Sequence, residues 1–410
     1  MFLCRLAFEW GVRALEDTFE AEVERIAAGG AGLARPGGRV FFVPYTAPGD
    51  RIRARITREH AAWGEAALVE LIDASPRRTA PRCPLYPAPG PDGGPACGGC
   101  TLQHLDYGSQ LEAKGEILRE AFARIAHAPL DACEIIPSSP WEYRNRVQFH
   151  RSGGLEGGGG RPGFKSARSG RVVPLEDCPV ADPGIRRILT SGKLEAPPGR
   201  DRFNLYSRGG LVLQEGKLSR GRVRIRDREL AMDAGIFFQS NGAMLELLIE
   251  ELLGLAAEAD CSLPLADLYC GVGTFASFLG DRFSGVELLE ENPAALDLAR
   301  DNVRKDARFF ALSDNEWVKK KEAAGSAGRD GYGLIIADPP RRGLSPAMRR
   351  WLARCPAPVL AYLSCDPASL ARDYRDLSEG WELAGLKLFD FYPQTAHIES
   401  LALFRNRHGR

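Results

Sequence analysis

The stretch that decides the fold of the C-terminal part of this chain is Leu265-Ala-Asp-Leu-Tyr-Cys-Gly-Val-Gly-Thr-Phe-Ala276. It predicts a strand, a turn that carries two glycines, and the start of a helix. Glycine lets the backbone turn tightly and approach a ligand at the N-terminus of that helix. Because Gly-x-Gly-x-x-Ala also matches the fingerprint of a dinucleotide site, the stretch by itself leaves the ligand undecided.

Apolar runs alternate with turn and helix signals on both sides of this stretch. The runs at 283–287, 334–338 and 359–364 each predict a strand that leads into a turn and a helix. This alternation predicts a doubly wound α/β domain over residues 229–410. The residues upstream show short strand-like runs broken by glycine, and 101–127 has apolar residues at helical spacing.

Length and charge limit the possible classes of protein. A chain of 410 residues has room for two or three domains. Lys plus Arg and Asp plus Glu both number 54, so the zero net charge argues against binding a polyanion through bulk charge. Arginines nevertheless concentrate between Arg35 and Arg58 and again over 200–228. No stretch approaches the ~20 apolar residues of a membrane helix, and the N-terminus does not read as a secretory signal, so we expect a cytoplasmic protein with reduced thiols.

Residues 17–76 predict a small all-β unit. Its strand-like runs are separated by turn signals, and the run 51–56 alternates arginine with apolar residues, which places its arginines on one face. The sequence GGAGLARPGGRVFFVPYTAPGDRIRARI at 29–56 resembles a TRAM domain, an OB-like RNA-binding barrel. The arginine face therefore has two interpretations, a surface that faces RNA or a solvated strand face.

A cysteine and a carboxylate occur at positions where they could carry chemistry. Cys365 follows the strand that ends in Leu363-Ser364, on the ligand-binding edge of the predicted sheet, and its thiolate could be a nucleophile. A lone cysteine is more often an inert buried residue. Glu399 lies on a strand-like run and shares one side of it with His397, where a structural salt bridge is the ordinary role of a carboxylate.

Five motifs that follow one another in the second half of the chain resemble the RNA (uracil-5-)-methyltransferase family, which forms 5-methyluridine. They are Phe237-Phe-Gln-Ser-Asn241, DLYCGVGTF, ADPPRRGLS, LSCDP and HIES. The resemblance implies a class I methyltransferase domain of Rossmann-like α/β fold at 229–410. It also implies an OB-like TRAM barrel at 17–76 and a small β-rich central domain at 77–228, with the helix at 101–127 packed on the catalytic domain.

The same resemblance implies roles for single residues. Cys365 would be the nucleophile that adds to C6 of uracil, and Glu399 would be the base. S-adenosylmethionine would be the cofactor, contacted by Gln239, Tyr269, Glu287 and Asp338. The chain departs from its relatives at Asp366, where they have asparagine, and at Thr274 and Ser313, where they often do.

The resemblance further implies a [4Fe-4S] cluster held by Cys83, Cys97, Cys100 and Cys178, whose spacing is Cys-x13-Cys-x2-Cys-x77-Cys. A zinc ion in a four-thiolate site is the chemical alternative, because spacing alone does not separate the two. Together the cluster and the TRAM barrel favour 23S ribosomal RNA as the substrate over tRNA, since the tRNA branch of the family typically has neither. We expect a monomer that binds RNA and no membrane.

Three other functions compete with this one. The first is a tRNA uracil-5-methyltransferase. The second is a methyltransferase of base amines in RNA or DNA, for which Asp338-Pro-Pro would be followed by an aromatic residue rather than by Arg341. The third is an RNA-binding iron–sulfur protein without catalysis, in which Cys365 and Glu399 could be lost without consequence.

The cluster gives the first testable prediction. Protein purified without oxygen should be brown and should contain roughly four iron atoms per chain, since a cubane cluster is held by four thiolates. Colour together with iron and zinc analysis measures this. A colourless protein that holds one tightly bound zinc ion would contradict the prediction.

Overall fold

The computed structural model describes residues 18–87, 96–130, 133–152, 160–167, 169–304, 306–324 and 331–407. Its strands, in chain order, are β1 Thr18–Ile26, β2 Ala31–Ala34, β3 Val40–Pro44, β4 Arg51–Glu59, β5 Trp63–Asp73, β6 Glu134–Ile136, β7 Arg146–Arg151, β8 Pro162–Lys165, β9 Val172–Pro174, β10 Arg202–Arg208, β11 Leu211–Gln214, β12 Arg220–Ile225, β13 Arg228–Asp233, β14 Leu265–Leu268, β15 Val286–Leu289, β16 Arg308–Phe310, β17 Leu334–Ala337, β18 Val359–Ser364, β19 Trp381–Phe389 and β20 Glu399–Asn406. Its α-helices are Tyr107–Ala121, Pro183–Thr190, Gly242–Glu258, Thr274–Leu279, Pro293–Asn302, Asp314–Ala323, Pro346–Ala353 and Pro367–Leu377.

The chain divides into two compact units. The barrel unit consists of Met1–Ile117, Gly163–Pro174 and Pro393–Ala396, and the sheet unit consists of Leu118–Pro162, Leu175–Tyr392 and His397–Arg410. The segment expected to form a central domain, 77–228, contributes to both units. The three-domain division therefore stays a prediction.

The barrel unit contains the predicted all-β fold. Strands β1 to β5 form a closed barrel in the order β1-β2-β3-β5-β4. Strand β4 alternates as predicted, so that Ile52 and Ala54 lie in the core while Arg51 and Arg53 are exposed. Arg53 donates to Glu20 at 2.7 Å and also pairs with Glu70. Internal ion pairs of this kind are what a solvated strand face has.

The sheet unit is built on an eight-stranded sheet in the order β16-β15-β14-β17-β18-β20-β19-β6. Strands β14 to β18 run parallel, whereas β20 is antiparallel to β18 and β19 is antiparallel to β20. Strands β14, β15, β17 and β18 are buried along their whole length, as the continuous apolar runs of the sequence require. The doubly wound α/β prediction is confirmed.

The helix predicted at 101–127 is present but shorter. It spans Tyr107–Ala121 and continues as a π-helical turn over Phe122–Ala126. The buried ring of Phe122 lies 5.5 Å from the ring of Tyr374 on the helix Pro367–Leu377. The end of this helical segment therefore packs on the sheet unit. None of the helices in the described ranges is both long and apolar enough to cross a membrane.

Strand register brings the predicted functional residues to one edge of the sheet. Pairing of Leu268 with Ala337 and of Ala337 with Tyr362 aligns the carboxyl ends of β14, β17 and β18. Strand β20 runs the other way, and its pairing of Ser364 with Ser400 places its beginning beside the end of β18. Tyr269, Asp338 and Cys365 follow β14, β17 and β18, and Glu399 is the first residue of β20. These four residues therefore meet at this edge.

Candidate active site

A cavity of about 570 Å³ opens within the sheet unit at this edge. Of the six residues predicted to carry catalysis or to bind the cofactor, five line it: Gln239, Tyr269, Asp338, Cys365 and Glu399. Glu287 does not line it. Exposed Phe237 and His397 lie on its wall, together with Arg341 and the half-buried Tyr392.

The glycine turn after β14 has the geometry that the sequence predicts. Gly271 and Gly273 have φ of +54° and +74°, and Tyr269 shares the left-handed region at +62°. A Cβ on Gly273 would lie 2.9 Å from Cγ2 of Val303, so glycine is needed there for packing. A Cβ on Gly271 would meet no atom within 4 Å, and Gly271 lines the cavity, so this turn leaves open space for a ligand.

A buried carboxylate that the sequence analysis did not single out fixes this turn to the next helix. Asp267 is fully buried, and its Oδ2 accepts a hydrogen bond from the backbone N–H of Ala276 at 3.0 Å. Burial raises the pKa of Asp267 to about 7, and the charges of Asp338 and Glu290 add to the shift. The signal in the sequence is an aspartate inside an otherwise apolar strand.

The structure corrects the strand end predicted at Glu287 and gives no support to a cofactor contact there. Its carboxylate is buried and is held by Lys321 at 2.8 Å and by the Tyr332 hydroxyl, which donates to it at 2.7 Å. The sequence places the strand end at Glu287, whereas β15 continues to Leu289. The acidic residue that follows the strand is Glu290, which lines the cavity.

Glu290 is also bonded to the glycine turn. Its Oε2 accepts a hydrogen bond from the N–H of Gly271 at 3.0 Å, and its Oε1 accepts one from Asn292 at 2.8 Å. Tyr269 donates its hydroxyl hydrogen to Asp314 at 2.7 Å, and Asp314 lines the same cavity. The turn is thus connected to carboxylates on two neighbouring elements, and both carboxylates were missed because the sequence gives strand ends only approximately.

Cys365 lies in the turn between β18 and the helix Pro367–Leu377. The Asp366 side chain caps that helix by accepting a hydrogen bond from the N–H of Ser369 at 2.7 Å. Asparagine caps helices equally well, so an asparagine at this position could accept the same hydrogen bond. Ser313, another departure, likewise caps a helix, in a capping box with Glu316.

Charge within the cavity governs the protonation of Cys365 and of Glu399. Burial raises the pKa of Glu399 to about 8, with a further contribution from Asp338. Burial also raises the pKa of Cys365 to about 12, reinforced by the negative charges of Glu399 and Asp338. Arg341 opposes both shifts. At neutral pH the thiol is therefore protonated, and its conversion to a thiolate depends on nearby positive charge.

Arg341 is held in place by its neighbours. Its Nη2 lies 3.2 Å from Nδ1 of His397, and its backbone oxygen accepts a hydrogen bond from Ser369 at 2.7 Å. Both Arg341 and His397 line the cavity. The guanidinium is therefore positioned to lower the pKa of the Cys365 thiol and of the Glu399 carboxyl group.

The four cysteines predicted to bind an iron–sulfur cluster are divided between the two units of the structure. Cys83, Cys97 and Cys100 belong to the barrel unit, whereas Cys178 belongs to the sheet unit. The described part of the chain has no group of three or more His, Cys, Asp or Glu residues placed to hold a metal ion. The cluster therefore stays a prediction from the sequence, without support from the structure.

Comparison with known proteins gives a consistent result. The family model described as tRNA (Uracil-5-)-methyltransferase matches residues 208–407. An uncharacterized RNA methyltransferase of Treponema denticola is 31% identical, over 90% of this chain and 94% of that protein. A 23S rRNA (uracil(1939)-C(5))-methyltransferase of Alkalilimnicola ehrlichii is 28% identical, over 96% of this chain and 98% of that protein.

A solved structure has the same fold. The tRNA (uracil-54, C5)-methyltransferase of Pyrococcus abyssi, determined in complex with S-adenosyl-L-homocysteine, superposes with a TM-score of 0.69 at 24% identity. The alignment covers 94% of this chain and 99% of that one. At this identity the likeness concerns the fold.

The cavity electrostatics give a prediction that needs no substrate. Arg341→Gln should raise the pKa of Cys365, because it removes the positive charge that opposes the carboxylates. At any pH below that pKa less thiolate is present, so iodoacetamide should alkylate Cys365 several-fold more slowly. Peptide mass spectrometry across a pH series measures the reaction at this one cysteine.

Arg342→Gln is the matched control, because Arg342 lines the cavity but does not act on the thiol. It should leave the alkylation rate of Cys365 unchanged. Glu399→Gln should lower the pKa of Cys365 and speed alkylation. Equal slowing by both arginine variants would show that the effect is not specific to Arg341.

Proposed function

This chain belongs to the RNA (uracil-5-)-methyltransferase family, and we propose that it methylates C5 of a uridine in ribosomal RNA through a covalent adduct with Cys365. The observation that carries the proposal is the meeting of Cys365 and Glu399 in one cavity. The two residues come from different elements, since Cys365 follows β18 and Glu399 opens β20. Gln239, Tyr269 and Asp338 line the same cavity.

The chemistry explains the choice of a thiol and a carboxylate. C5 of uracil is a poor nucleophile, and addition of the Cys365 thiolate to C6 produces an enolate whose C5 is nucleophilic. S-adenosylmethionine supplies an electrophilic methyl group when it is bound. Glu399 then accepts the proton of C5, the C6–S bond breaks, and Cys365 leaves as a thiolate. Arg341 favours both required charges, since it lowers the pKa of Cys365 and of Glu399.

The cavity suits S-adenosylmethionine. Gly271 leaves open space beside the turn, and the carboxylates of Glu290 and Asp338 offer acceptors at the ends of neighbouring strands. We assign the ribose hydroxyls to Glu290, in place of the Glu287 of the sequence analysis, because hydroxyl groups donate to a carboxylate at this position of the fold. Gln239, Tyr269 and Asp338 complete the proposed contacts.

Gln239 lies beside a residue with a structural role in the same motif. Asn241 caps the helix Gly242–Glu258 and donates to the backbone oxygen of Phe391 at 3.2 Å. The adjoining Phe237 is 58% exposed and lines the cavity. An exposed aromatic ring is a stacking surface for a base that has left its own stack, and a uridine must do so to present C6.

Ribosomal RNA is proposed as the substrate on one relative whose name gives its substrate. The Alkalilimnicola ehrlichii enzyme, whose name gives 23S rRNA as its substrate, matches this chain over nearly its full length. A tRNA substrate is the alternative. Mapping 5-methyluridine in ribosomal RNA and in tRNA from a strain that lacks the gene separates the two, because the missing modification identifies the substrate.

Removal of the nucleophile gives the main test of the mechanism. Cys365→Ala should abolish methyl transfer to RNA and any covalent RNA adduct, because no other group replaces the thiolate. Cys270→Ala is the control. Cys270 is buried and burial raises its pKa well above the ordinary value, so substantial activity should remain. An active Cys365→Ala protein would favour the base-amine methyltransferase.

Removal of the base should arrest the reaction at a different point. In Glu399→Gln, addition and methylation can proceed while C5 keeps its proton, so the C6–S bond does not break. This variant should accumulate a methylated protein–RNA adduct that survives a denaturing gel. If it instead lacks both adduct and product, Glu399 acts before methyl transfer and is not the C5 base.

The corrected cofactor contact has its own test. Glu290→Gln should weaken binding of S-adenosylmethionine roughly tenfold, since a hydrogen bond to a charged group contributes about 1.5–3 kcal/mol. Calorimetric titration measures this. Glu287→Gln should lower the Tm, because it leaves Lys321 without its buried partner, but should keep the affinity of the folded protein. The reverse pattern would restore the assignment of Glu287.

A further inference from the structure

Strand β12 carries arginine at alternate positions. Arg220, Arg222 and Arg224 are exposed and share one face of the strand, and we refer to them as the arginine row. Between them, Val223 is 1% exposed and lies in the main core of the sheet unit, as does Ile225. The strand is thus anchored by its apolar side, and its cationic side faces solvent on a fixed backbone.

The arginine row has few internal partners. Arg220 reaches Asp233 at 3.3 Å, whereas Arg222 and Arg224 form no ion pair with any described residue. On β13, Ala231 lies opposite Arg222 and Glu229 lies opposite Arg224, and even this glutamate does not come within ion-pair distance.

Other arginines of the same region are paired. Arg208 is bonded to Glu246, and Arg226 lies 3.4 Å from Glu250. In the barrel, Arg53 is likewise bonded to acids on adjoining strands, whereas the exposed Arg55 forms no ion pair with a described residue. Like charges on one strand face repel each other, so a row that the fold leaves unpaired is suited to an anionic ligand.

The position of the row connects it to the cavity. Strand β13 ends at Asp233, and Ala234 continues the pairing by donating to the backbone oxygen of Ser219 at 2.8 Å. Ile236 and Phe237, which line the cavity, follow directly. The end of the row at Arg220 therefore lies next to the segment that enters the cavity, and its Cα atoms extend about 13 Å from there to Arg224.

We infer that the arginine row binds the phosphodiester backbone of the RNA on one side of the nucleotide whose base enters the cavity. Guanidinium groups form paired hydrogen bonds with phosphate oxygens, and such contacts fix register without reading sequence. The inference rests on the proposed function only in taking RNA as the substrate. Because the chain has no net charge, attraction to RNA must come from local surfaces of this kind.

The test compares RNA binding by the double variant Arg222→Gln/Arg224→Gln with binding by the unchanged protein. The probe is a fluorescent single-stranded RNA that contains uridine, titrated at several salt concentrations. The Kd at low salt should rise about tenfold, and the slope of log Kd against log salt should fall by roughly one to two units, since about one unit is lost per phosphate contact. Affinity for S-adenosylmethionine and the Tm should not change.

Arg405→Gln is the control for a distant, paired arginine. Arg405 is also exposed on a strand of the sheet unit, but it is paired with Glu258 at 2.9 Å, and its register with Val359 places it at the opposite edge of the sheet from Cys365. It should leave the Kd and the slope unchanged. If RNA binding weakens equally in this control, the effect is one of bulk charge. If the slope of log Kd against log salt is unchanged in the double variant, the arginine row is a solvated strand face. Either result overturns the inference.

The readout is independent of methyl transfer. If the unchanged protein binds RNA but does not methylate uridine, and the double variant binds more weakly with a smaller slope, the arginine row is supported while the proposed function fails. If the unchanged protein methylates uridine and the double variant keeps its Kd and slope, the proposed function stands and the row is refuted.

Discussion

The antiparallel pairing of β18 with β20 is the constraint on which the site depends. Six residue pairs hold these strands together, from Val359 with Arg405 to Ser364 with Ser400. This register places Cys365, which follows one strand, beside Glu399, which opens the other. A slip of one residue would turn Glu399 to the opposite face of the sheet, because side chains alternate along a strand. The backbone ladder therefore fixes the positions of Cys365 and Glu399 relative to each other.

Several acidic residues are buried near Cys365 at the same edge of the sheet. Asp267, Asp338 and Glu399 all have raised pKa values, since each is withdrawn from water and lies near another carboxyl group. Such an arrangement opposes ionisation of Cys365, and Arg341 is the cation that counters it. The site thus holds its acid–base groups near neutrality, where small changes of local charge decide which group carries the proton.

Periodicity was sufficient to predict the α/β sheet and a small all-β unit, whereas the barrel and the joint roles of Cys365 and Glu399 were implied by the family resemblance. These features depend on patterns that recur along many residues or on elements whose carboxyl ends must coincide. The end of β15 was predicted two residues too early, at Glu287 instead of Leu289, and for that reason the sequence pointed to Glu287 and not to Glu290. A carboxylate inside the fold and one at its edge look alike in sequence, because only the packing of Lys321 and Tyr332 separates them.

The metal cluster stays a prediction, since ligand spacing carries no information about the distance between segments that are far apart in the chain. The arginines illustrate the same limit for charge. Those on β4 and those on β12 look equivalent in sequence, with basic and small or apolar residues in alternation. In the fold, acids on neighbouring strands neutralise Arg53, whereas Arg224 faces Glu229 in register without pairing to it. A protein with equal numbers of acids and bases can therefore still present positive charge at chosen places. The pairing of each arginine within the fold, and not the total charge of the chain, determines where a polyanion is attracted.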